Sequence, residues 1–321
     1  MSKQWNVLLS APYMIPFVDR FVPELEEAGC RVIVPKVNER LEAADLLKII
    51  GDVDGTICGD DRYTREVLRA APRLKVISKW GTGIDSIDSQ ACRELGIRVC
   101  NTPGAFTIPV ADSVMAYLLS FARQTPWMDR QMKSGSWEKI PGKTLGECTL
   151  GIVGVGNIGA EVARRAAAFG MKILGNDLKT IDPRVAEQSG LKQTYLDDLL
   201  RRSDFVTLHT DLNPSSHHLI DDGALRKMKP TAILINTSRG PVVDERALTV
   251  ALGSGVIAGA AMDVFEHEPL PMESPLRGMD NVLLAPHNSN SSPAAWERVH
   301  LNSIRNLMAG LNEVSRLKRA A

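Results

Sequence analysis

The chain has 321 residues, of which 44% are hydrophobic and 24% charged, and its 38 Lys and Arg residues balance its 38 Asp and Glu residues. This length exceeds what one core usually covers and predicts two domains, while the neutral balance gives no field that favours nucleic acid or an anionic membrane. Five cysteines without a CxxC pair, and no apolar stretch approaching about 18 residues, predict reduced thiols in a cytoplasmic protein with no membrane partner.

Short runs rich in β-branched residues alternate with longer amphipathic runs along the chain. The first series predicts strands at 7–9, 31–34, 55–58 and 75–78, and helices at 23–29, 42–50 and 64–71. The second series predicts strands at 150–153, 172–174, 205–208, 232–235, 257–261 and 282–285, and helices at 158–170, 196–202 and 245–253. This repeated alternation predicts an α/β architecture with two parallel sheets and right-handed crossovers.

Two segments mark where the chain is expected to pass between the sheets. A Pro-Gly pair at 103–104 precedes a predicted long helix at 110–123, and a polar stretch after Pro286 precedes a last helix that begins at Pro293 and reaches about residue 317. We therefore expect one discontinuous domain of residues 1–101 and 289–321 and a second domain of residues 102–288.

The sharpest local motif is LGIVGVGNIG, in which Gly154, Gly156 and Gly159 follow a predicted strand and precede an Ala-rich helix. Glycines at this spacing permit a tight turn, let the backbone approach a pyrophosphate, and let the helix pack on the strand. Asp177, 18 residues after Gly159, ends the next strand, where a carboxylate can accept ribose hydroxyls and favour NAD over NADP. Because Lys179 lies two residues further on, NADP remains possible as the less favoured cofactor. The alternative without a nucleotide site is a Gly-rich turn followed by a solvated aspartate.

Five further blocks carry a resemblance to a known family. They are KWGTGID (79–85), NTPG (101–104), NTSRGPVVDE (236–245), AMDVFEHEPLP (261–271) and LLAPH (283–287). Together they resemble the signature blocks of the D-isomer-specific 2-hydroxyacid dehydrogenases, from about residue 55 to the last helix. The resemblance implies two Rossmann-like, doubly wound parallel-sheet domains with a cleft between them, NAD on the domain of residues 102–288, the substrate (catalytic) role for the other domain, and a homodimer.

An arginine at the end of a buried strand needs a partner: solvent, a carboxylate of the protein such as Asp244 or Glu245, or an anion from outside. The resemblance implies the last, with Arg239, Glu268 and His287 as the catalytic residues. A guanidinium suits the carboxylate of a 2-keto acid, and a histidine paired with a carboxylate can supply the proton that hydride reduction requires. From the residues alone, Glu266 or His267 could take the place of Glu268, and His287 could be a core histidine.

The resemblance also implies the remaining site residues. Substrate binding is expected from Lys79, Thr82, Gly83, Arg239 and His287. Alternatively, the loop at 81–83 could be only a tight turn between a strand and a helix. Cofactor binding is expected from Gly154, Gly156, Asn157, Ile158, Gly159, Asp177, His209, Thr237 and Asp263. No metal site is expected, because the adjacent His217 and His218 have no second ligand set beside them.

Several positions depart from the family pattern and bear on the substrate. Asn288-Ser289-Asn290 replaces a loop that usually contains Gly or Ala, and Asp211 replaces a proline. The sequence of the 79–85 block resembles the phosphoglycerate dehydrogenase branch of the family, so 3-phosphoglycerate ranks first among the possible substrates. Its phosphate would be expected to contact Lys79, Arg62 or Arg65. Cys58, however, stands where those enzymes often carry an arginine, which keeps glyoxylate and hydroxypyruvate close behind.

A function of another class also stays open. The same fold serves in corepressors that bind NAD(H) as a sensor and recruit peptide partners, and those relatives keep the three catalytic residue types. The chain shows no extended disordered tail and no basic DNA-reading segment. We therefore predict an NAD-dependent D-2-hydroxyacid dehydrogenase that acts on a small-molecule substrate.

Overall fold

The computed structural model describes residues 5–320, with side-chain surroundings through residue 316. The strands are β1 (Trp5–Leu9), β2 (Cys30–Ile33), β3 (Gly55–Cys58), β4 (Val76–Lys79), β5 (Arg98–Cys100), β6 (Thr149–Val153), β7 (Lys172–Asn176), β8 (Lys192–Gln193), β9 (Phe205–Leu208), β10 (Ile233–Asn236), β11 (Gly259–Met262) and β12 (Val282–Leu284). The helices are α1 (Val22–Glu27), α2 (Ala43–Leu46), α3 (Arg65–Arg69), α4 (Ser89–Glu94), α5 (Thr107–Arg123), α6 (Thr125–Lys133), α7 (Asn157–Ala168), α8 (Pro183–Ser189), α9 (Leu196–Arg202), α10 (Asp222–Leu225), α11 (Glu245–Gly253) and α12 (Pro293–Ala320).

The chain divides into two compact units. Unit 1 runs to Phe106 and resumes at Ser292, and unit 2 covers Thr107–Ser291. Each unit contains one parallel sheet, with strand order β2-β1-β3-β4-β5 in unit 1 and β12-β11-β10-β9-β6-β7-β8 in unit 2. These two parallel α/β sheets confirm the predicted fold class.

Unit 1 is completed by helix α12, which returns from the end of the chain to pack on β3, β4 and β5. Ser78 Oγ donates to the carbonyl oxygen of Ser303 at 2.8 Å, and Trp80 Nε1 donates to His300 Nδ1 at 2.9 Å. Both bonds are buried, so they satisfy polar groups that burial would otherwise leave without a partner. The C-terminal helix is therefore part of the core of unit 1.

The strands at the centre of unit 2 are buried along their whole length. Every residue of β9, β10 and β11 is buried, as a parallel sheet covered by helices on both faces requires. One core cluster contains Val206, Leu234 and Ala260, and the other contains Leu150, Ile152 and Ile235. Because successive side chains of a strand point to opposite faces, the two clusters cover the two faces of the sheet.

The register of unit 2 aligns the ends of its strands. Leu208 pairs with both Val153 and Asn236, and Met262 pairs with both Asn236 and Leu284. The residues that follow these strand ends are Gly154, His209, Thr237, Asp263 and Ala285. They therefore lie in a row along one edge of the sheet, the carboxyl edge at which ligands bind in open α/β sheets.

The predicted elements differ from the structure mainly at the sheet edges and in short helices. Strand β9 and helices α9 and α11 begin and end at the predicted residues. The helix predicted at 42–50 is instead the four-residue helix α2, followed by a separate 3₁₀ turn at Ile50–Asp52. Strands β5 and β8 were not predicted, because each lies at a sheet edge, has at most three residues, and contains no fully buried residue.

Candidate active site

The Gly154–Gly159 loop joins β6 to α7, and each of its three glycines meets a different demand. Gly154 has a φ of +87°, and a Cβ there would lie 2.7 Å from the backbone carbonyl of His209. A Cβ on Gly159 would overlap the carbonyl oxygen of Gly154. A Cβ on Gly156 would meet no protein atom within 4 Å, so this part of the loop faces open space. A dinucleotide pyrophosphate at the N-terminus of α7 fits that space.

Asp177 follows β7 and supports the same loop. Its Oδ2 accepts the N–H of Val155 at 2.8 Å, and its Oδ1 accepts the N–H of Lys179 at 2.9 Å. Each carboxylate oxygen can accept a second hydrogen bond. The carboxylate therefore holds the loop in shape and retains the capacity to accept ribose hydroxyl groups.

Three polar atoms at the carboxyl edge of this sheet are buried and have no hydrogen-bond partner within residues 5–320. They are His209 Nδ1, Thr210 Oγ1 and Thr237 Oγ1. The remainder of the His209 ring is fixed, because Nε2 lies 3.0 Å from Thr207 Oγ1, and burial lowers the pKa of His209 to about 3. Buried polar atoms normally find a partner, so these atoms fit a site that a polar ligand fills.

Arg239 stands on a loop that one buried asparagine organises. Asn236 Oδ1 accepts the N–H and the hydroxyl of Ser238 at 3.0 and 2.8 Å, and Asn236 Nδ2 donates to the carbonyl oxygen of Arg239 at 2.9 Å. The guanidinium donates from Nη1 to the carbonyl oxygen of Ser238 at 2.9 Å. A Cβ on Gly240 would overlap the backbone of Phe265, so this loop packs directly on the chain that precedes Glu268.

Glu268 and His287 form a half-buried pair. Glu268 Oε2 lies 3.1 Å from His287 Nδ1, and Glu268 Oε1 accepts the N–H of Phe265 at 3.0 Å. His287 has a φ of +51°, and its N–H is held by the carbonyl oxygen of Asp263 at 2.7 Å. The structure thus brings Glu268 to the histidine, whereas Glu266, the alternative left open by the sequence, lies 2.8 Å from His218.

Asp263 is buried and fixes the backbone that follows the histidine. Its two carboxylate oxygens accept the N–H groups of Asn288 at 2.7 Å and Ser289 at 3.0 Å. Tyr117 on α5 belongs to the same surroundings: burial, and next the charge of Asp263, raise the pKa of Tyr117 to about 12. Neither these loop bonds nor the place of Tyr117 could be predicted from the sequence, because they join segments that are far apart along the chain.

Unit 1 contains the predicted substrate residues Lys79, Thr82 and Gly83. The carbonyl oxygen of Thr82 accepts Asn101 Nδ2 at 2.6 Å, and that of Gly81 accepts the N–H of Thr102 at 2.9 Å. No acceptor for the N–H of Thr82 or Gly83 lies among the described residues, which is the arrangement of an anion-binding nest. Lys79 is buried, and its Nζ lies 3.0 Å from Asp60 Oδ1.

The part of the chain that the structure describes contains neither a metal-site arrangement nor a membrane-spanning helix. No group of three or more His, Cys, Asp or Glu side chains there has the arrangement of a metal site. His217 stacks on His218 with ring centroids 4.1 Å apart, and neither belongs to such a group. None of the helices between residues 5 and 320 is long and apolar enough to cross a membrane.

Comparison with known proteins gives consistent relatives. Residues 115–289 match the family model described as D-isomer specific 2-hydroxyacid dehydrogenase, NAD binding domain. A glyoxylate reductase of Thermofilum pendens is 41% identical over 308 residues, which cover 92% of this chain and 91% of the relative. A D-3-phosphoglycerate dehydrogenase of Methanocaldococcus jannaschii is 39% identical, covering 87% of this chain and 53% of the relative. The crystal structure of D-lactate dehydrogenase from Aquifex aeolicus, complexed with NAD and lactic acid, superposes with a TM-score of 0.86 at 27% identity and covers 96% of each chain.

Proposed function

The chain belongs to the D-isomer-specific 2-hydroxyacid dehydrogenase family, and from that premise we propose that it reduces a small, unphosphorylated 2-keto acid with NADH. The observation that carries the proposal is the contact of 3.1 Å between Glu268 Oε2 and His287 Nδ1. This pair lies in the unit that contains the Gly154–Gly159 loop. The chain is therefore an NAD-dependent oxidoreductase of this family, and the roles of its residues are proposed.

His287 is proposed as the general acid. The nicotinamide, when bound, supplies the hydride to the carbonyl carbon, so the carbonyl oxygen must receive a proton. With Nδ1 held by Glu268, His287 would deliver that proton from Nε2, and the adjacent carboxylate favours the cationic ring. General acid catalysis of this kind typically contributes ~10²–10⁴ in rate.

Arg239 is proposed to hold the substrate carboxylate. A guanidinium offers planar, forked donors that match a carboxylate, and Asn236 fixes the backbone from which it projects. In unit 1, the N–H groups of Thr82 and Gly83 form the nest proposed for the same kind of anion.

NAD is proposed over NADP because of Asp177. Its carboxylate follows β7 and is held beside the glycine loop by the N–H of Val155. A carboxylate in this place can accept ribose hydroxyls and repels a 2′-phosphate. The nearby Lys179 is exposed, and its positive charge would favour NADP.

The charges in unit 1 favour a substrate without a phosphate. Of the three cations considered for a distal phosphate, Lys79 is already paired with Asp60, and Arg65 is paired with Glu94 and lies 3.5 Å from Asp88. Arg62, the third, has no ion pair among the described residues. Burial raises the pKa of the Cys58 thiol well above its usual range, so that position carries no charge. At Lys79 and Arg65 a phosphate would have to compete with these carboxylates, whereas glyoxylate or hydroxypyruvate would need neither cation.

The test is NADH oxidation, followed by absorbance, with glyoxylate, hydroxypyruvate, pyruvate and 3-phosphohydroxypyruvate. We expect turnover with at least one of the three unphosphorylated acids, at a higher kcat/KM than with the phosphorylated acid. A preference for 3-phosphohydroxypyruvate would contradict the substrate class. Tight NADH binding without turnover of any acid would contradict the enzyme itself and favour the sensor function.

Two statements about the protein's surroundings stay predictions. We propose a homodimer, which light scattering would reveal as a mass near twice the chain mass of 35.1 kDa. We also propose a cytoplasmic location. All five cysteines are free thiols, and four of them are buried, as a reducing compartment allows.

A further inference from the structure

His218 and Glu266 have no part in the proposed chemistry, but their contact joins two segments of unit 2. His218 Nε2 lies 2.8 Å from Glu266 Oε1, although 48 residues separate them in the sequence. The backbone N–H of His218 donates to the carbonyl oxygen of Pro241 at 2.8 Å. Pro241 follows Arg239 by two residues, and Glu266 precedes Glu268 by two residues. The contact therefore connects the segments that carry two of the three proposed catalytic side chains, those of Arg239 and Glu268.

The two segments are also held together beneath this contact. The N–H of Glu266 donates to Glu245 Oε2 at 3.1 Å, and Glu266 Oε1 accepts the N–H of Glu245 at 3.2 Å. The neighbouring residue, Phe265, packs on Gly240 and donates its N–H to Glu268 Oε1 at 3.0 Å. Movement of Glu266 would therefore be transmitted through Phe265 to the carboxylate that meets His287.

The charges around His218 are mostly negative. Asp244 Oδ2 lies 4.0 Å from its Nδ1, Glu266 contacts its Nε2, and His217 stacks on its ring. Burial, and next the charge of Glu266, raise the pKa of Glu245. An imidazole that donates to Glu266 offsets this concentration of carboxylates and fixes the rotamer of Glu266.

We propose that His218 and Glu266 are a positioning pair that sets the orientation of Glu268 toward His287. This proposal rests on the proposed function in one respect: it takes His287 as the general acid, whose pKa the pair would affect. The pair touches neither substrate nor cofactor as proposed, so it acts through the 240–241 and 265–268 segments. Loss of the pair should change the pKa of His287 while the protein stays folded.

The structure offers a clean way to remove the pair. His218 has a φ of +50°, which glycine adopts without steric cost, so His218→Gly deletes the imidazole while the backbone keeps its conformation. Glu266→Gln keeps the size of the side chain and removes its charge. His217→Ala is the matched control, because it deletes an exposed imidazole that stacks on His218 but has no hydrogen bond or ion pair with Glu266 among the described residues.

The experiment is a pH titration of protein labelled with ¹⁵N-histidine, in which six histidines give resolvable ring signals, and His287→Gln assigns the signal of His287. We expect His218→Gly and Glu266→Gln each to lower the titration midpoint of His287 by about 0.5–1 pH unit, because a less well-oriented carboxylate favours the cation less. The double variant should match the single variants, since members of one pair are not additive. His217→Ala should leave the midpoint unchanged.

An unchanged titration midpoint of His287 in both single variants would contradict the proposed role of the pair. A shift in His217→Ala as large as that in the two single variants would contradict it as well. This result is independent of turnover, because the titration is measured on the protein without substrate. Where the keto-acid assay succeeds, kcat/KM in His218→Gly should fall by about tenfold with NADH affinity retained, as misplacement of catalytic groups predicts. Failure of the assay in the wild type would contradict the proposed function and leave the titration result intact.

Discussion

Glu268 Oε2 and His287 Nδ1 are 3.1 Å apart, and each residue is fixed by a backbone bond of its own. The N–H of Phe265 holds the carboxylate, and the carbonyl oxygen of Asp263 holds the N–H of the histidine. The ring is thus oriented by side-chain and main-chain bonds before any substrate arrives. Such preorganisation is what makes a general acid effective.

Replacing Glu268 by glutamine tests the pair directly. Glu268→Gln keeps the shape of the side chain but removes the charge that favours the imidazolium, so the pKa of His287 should fall. Keto-acid reduction needs the protonated ring, and the rate falls as pH rises through that pKa. The falling limb of the kcat/KM profile should therefore move to lower pH, with a rate loss of ~10²-fold at neutral pH. An unaltered profile would contradict the assigned role of Glu268.

Arg239→Ala should collapse turnover and spare the cofactor. The guanidinium is proposed to bind the substrate carboxylate, and loss of such a charged contact costs ~10²–10³ in kcat/KM. NADH affinity, measured by fluorescence titration, should change little, because the Gly154–Gly159 loop and Asp177 are intact. Arg226→Ala is the control, since Arg226 is an exposed arginine of the same unit that pairs only with Asp222 within the described residues. Full activity in Arg239→Ala would remove the arginine from the mechanism.

Asp177→Asn should relax the preference for NADH. The amide oxygen can still accept the N–H of Val155, so the loop should keep its shape, but the negative charge that repels a 2′-phosphate is gone. Loss of a hydrogen bond to a charged group is worth about 1.5–3 kcal/mol, so the ratio of kcat/KM for NADH over NADPH should fall by ~10–100-fold. Steady-state kinetics with both cofactors gives this ratio. A ratio equal to that of the wild type would show that Asp177 does not select the cofactor.

The sequence predicts the parts of this molecule that local pattern determines. The glycine loop and Asp177 could be placed because a strand and a helix flank the motif, and the parallel sheets follow from the alternation of strand and helix runs. The bonds from Asp263 to Asn288 and Ser289 could not be predicted, since they span 25 and 26 residues and depend on the strand register. The same is true of the contact between His218 and Glu266, which are 48 residues apart in the sequence and meet only in the fold.

Edges and short helices escaped prediction for another reason. Helix α6 begins after Gln124, whose φ of 56° breaks the run from α5, and no residue of α6 is buried. Five of its nine residues are polar or charged and none is buried, so the segment lacks the buried apolar positions from which a helix is predicted. Strand β8 has two exposed residues, Lys192 and Gln193, and is defined only by its pairing with β7. Tertiary pairing, and not local preference, determines both elements.

His209 predicts a dependence of stability on acid pH. Burial lowers the pKa of His209 to about 3 in the folded protein, below the usual value of 6.5. Between these values the unfolded chain binds the proton and the folded chain does not, so the free energy of unfolding should fall as pH drops from 6.5 toward 3. The slope contributed by one such group approaches about 1.4 kcal/mol per pH unit. His209→Gln should remove that contribution and flatten the profile, measured by urea denaturation across this range. His217→Gln, which changes an exposed histidine, should keep the wild-type slope. Equal slopes for wild type and His209→Gln would show that the ring is charged in the folded state. The conclusion that His209 is neutral beside the glycine loop would then be wrong.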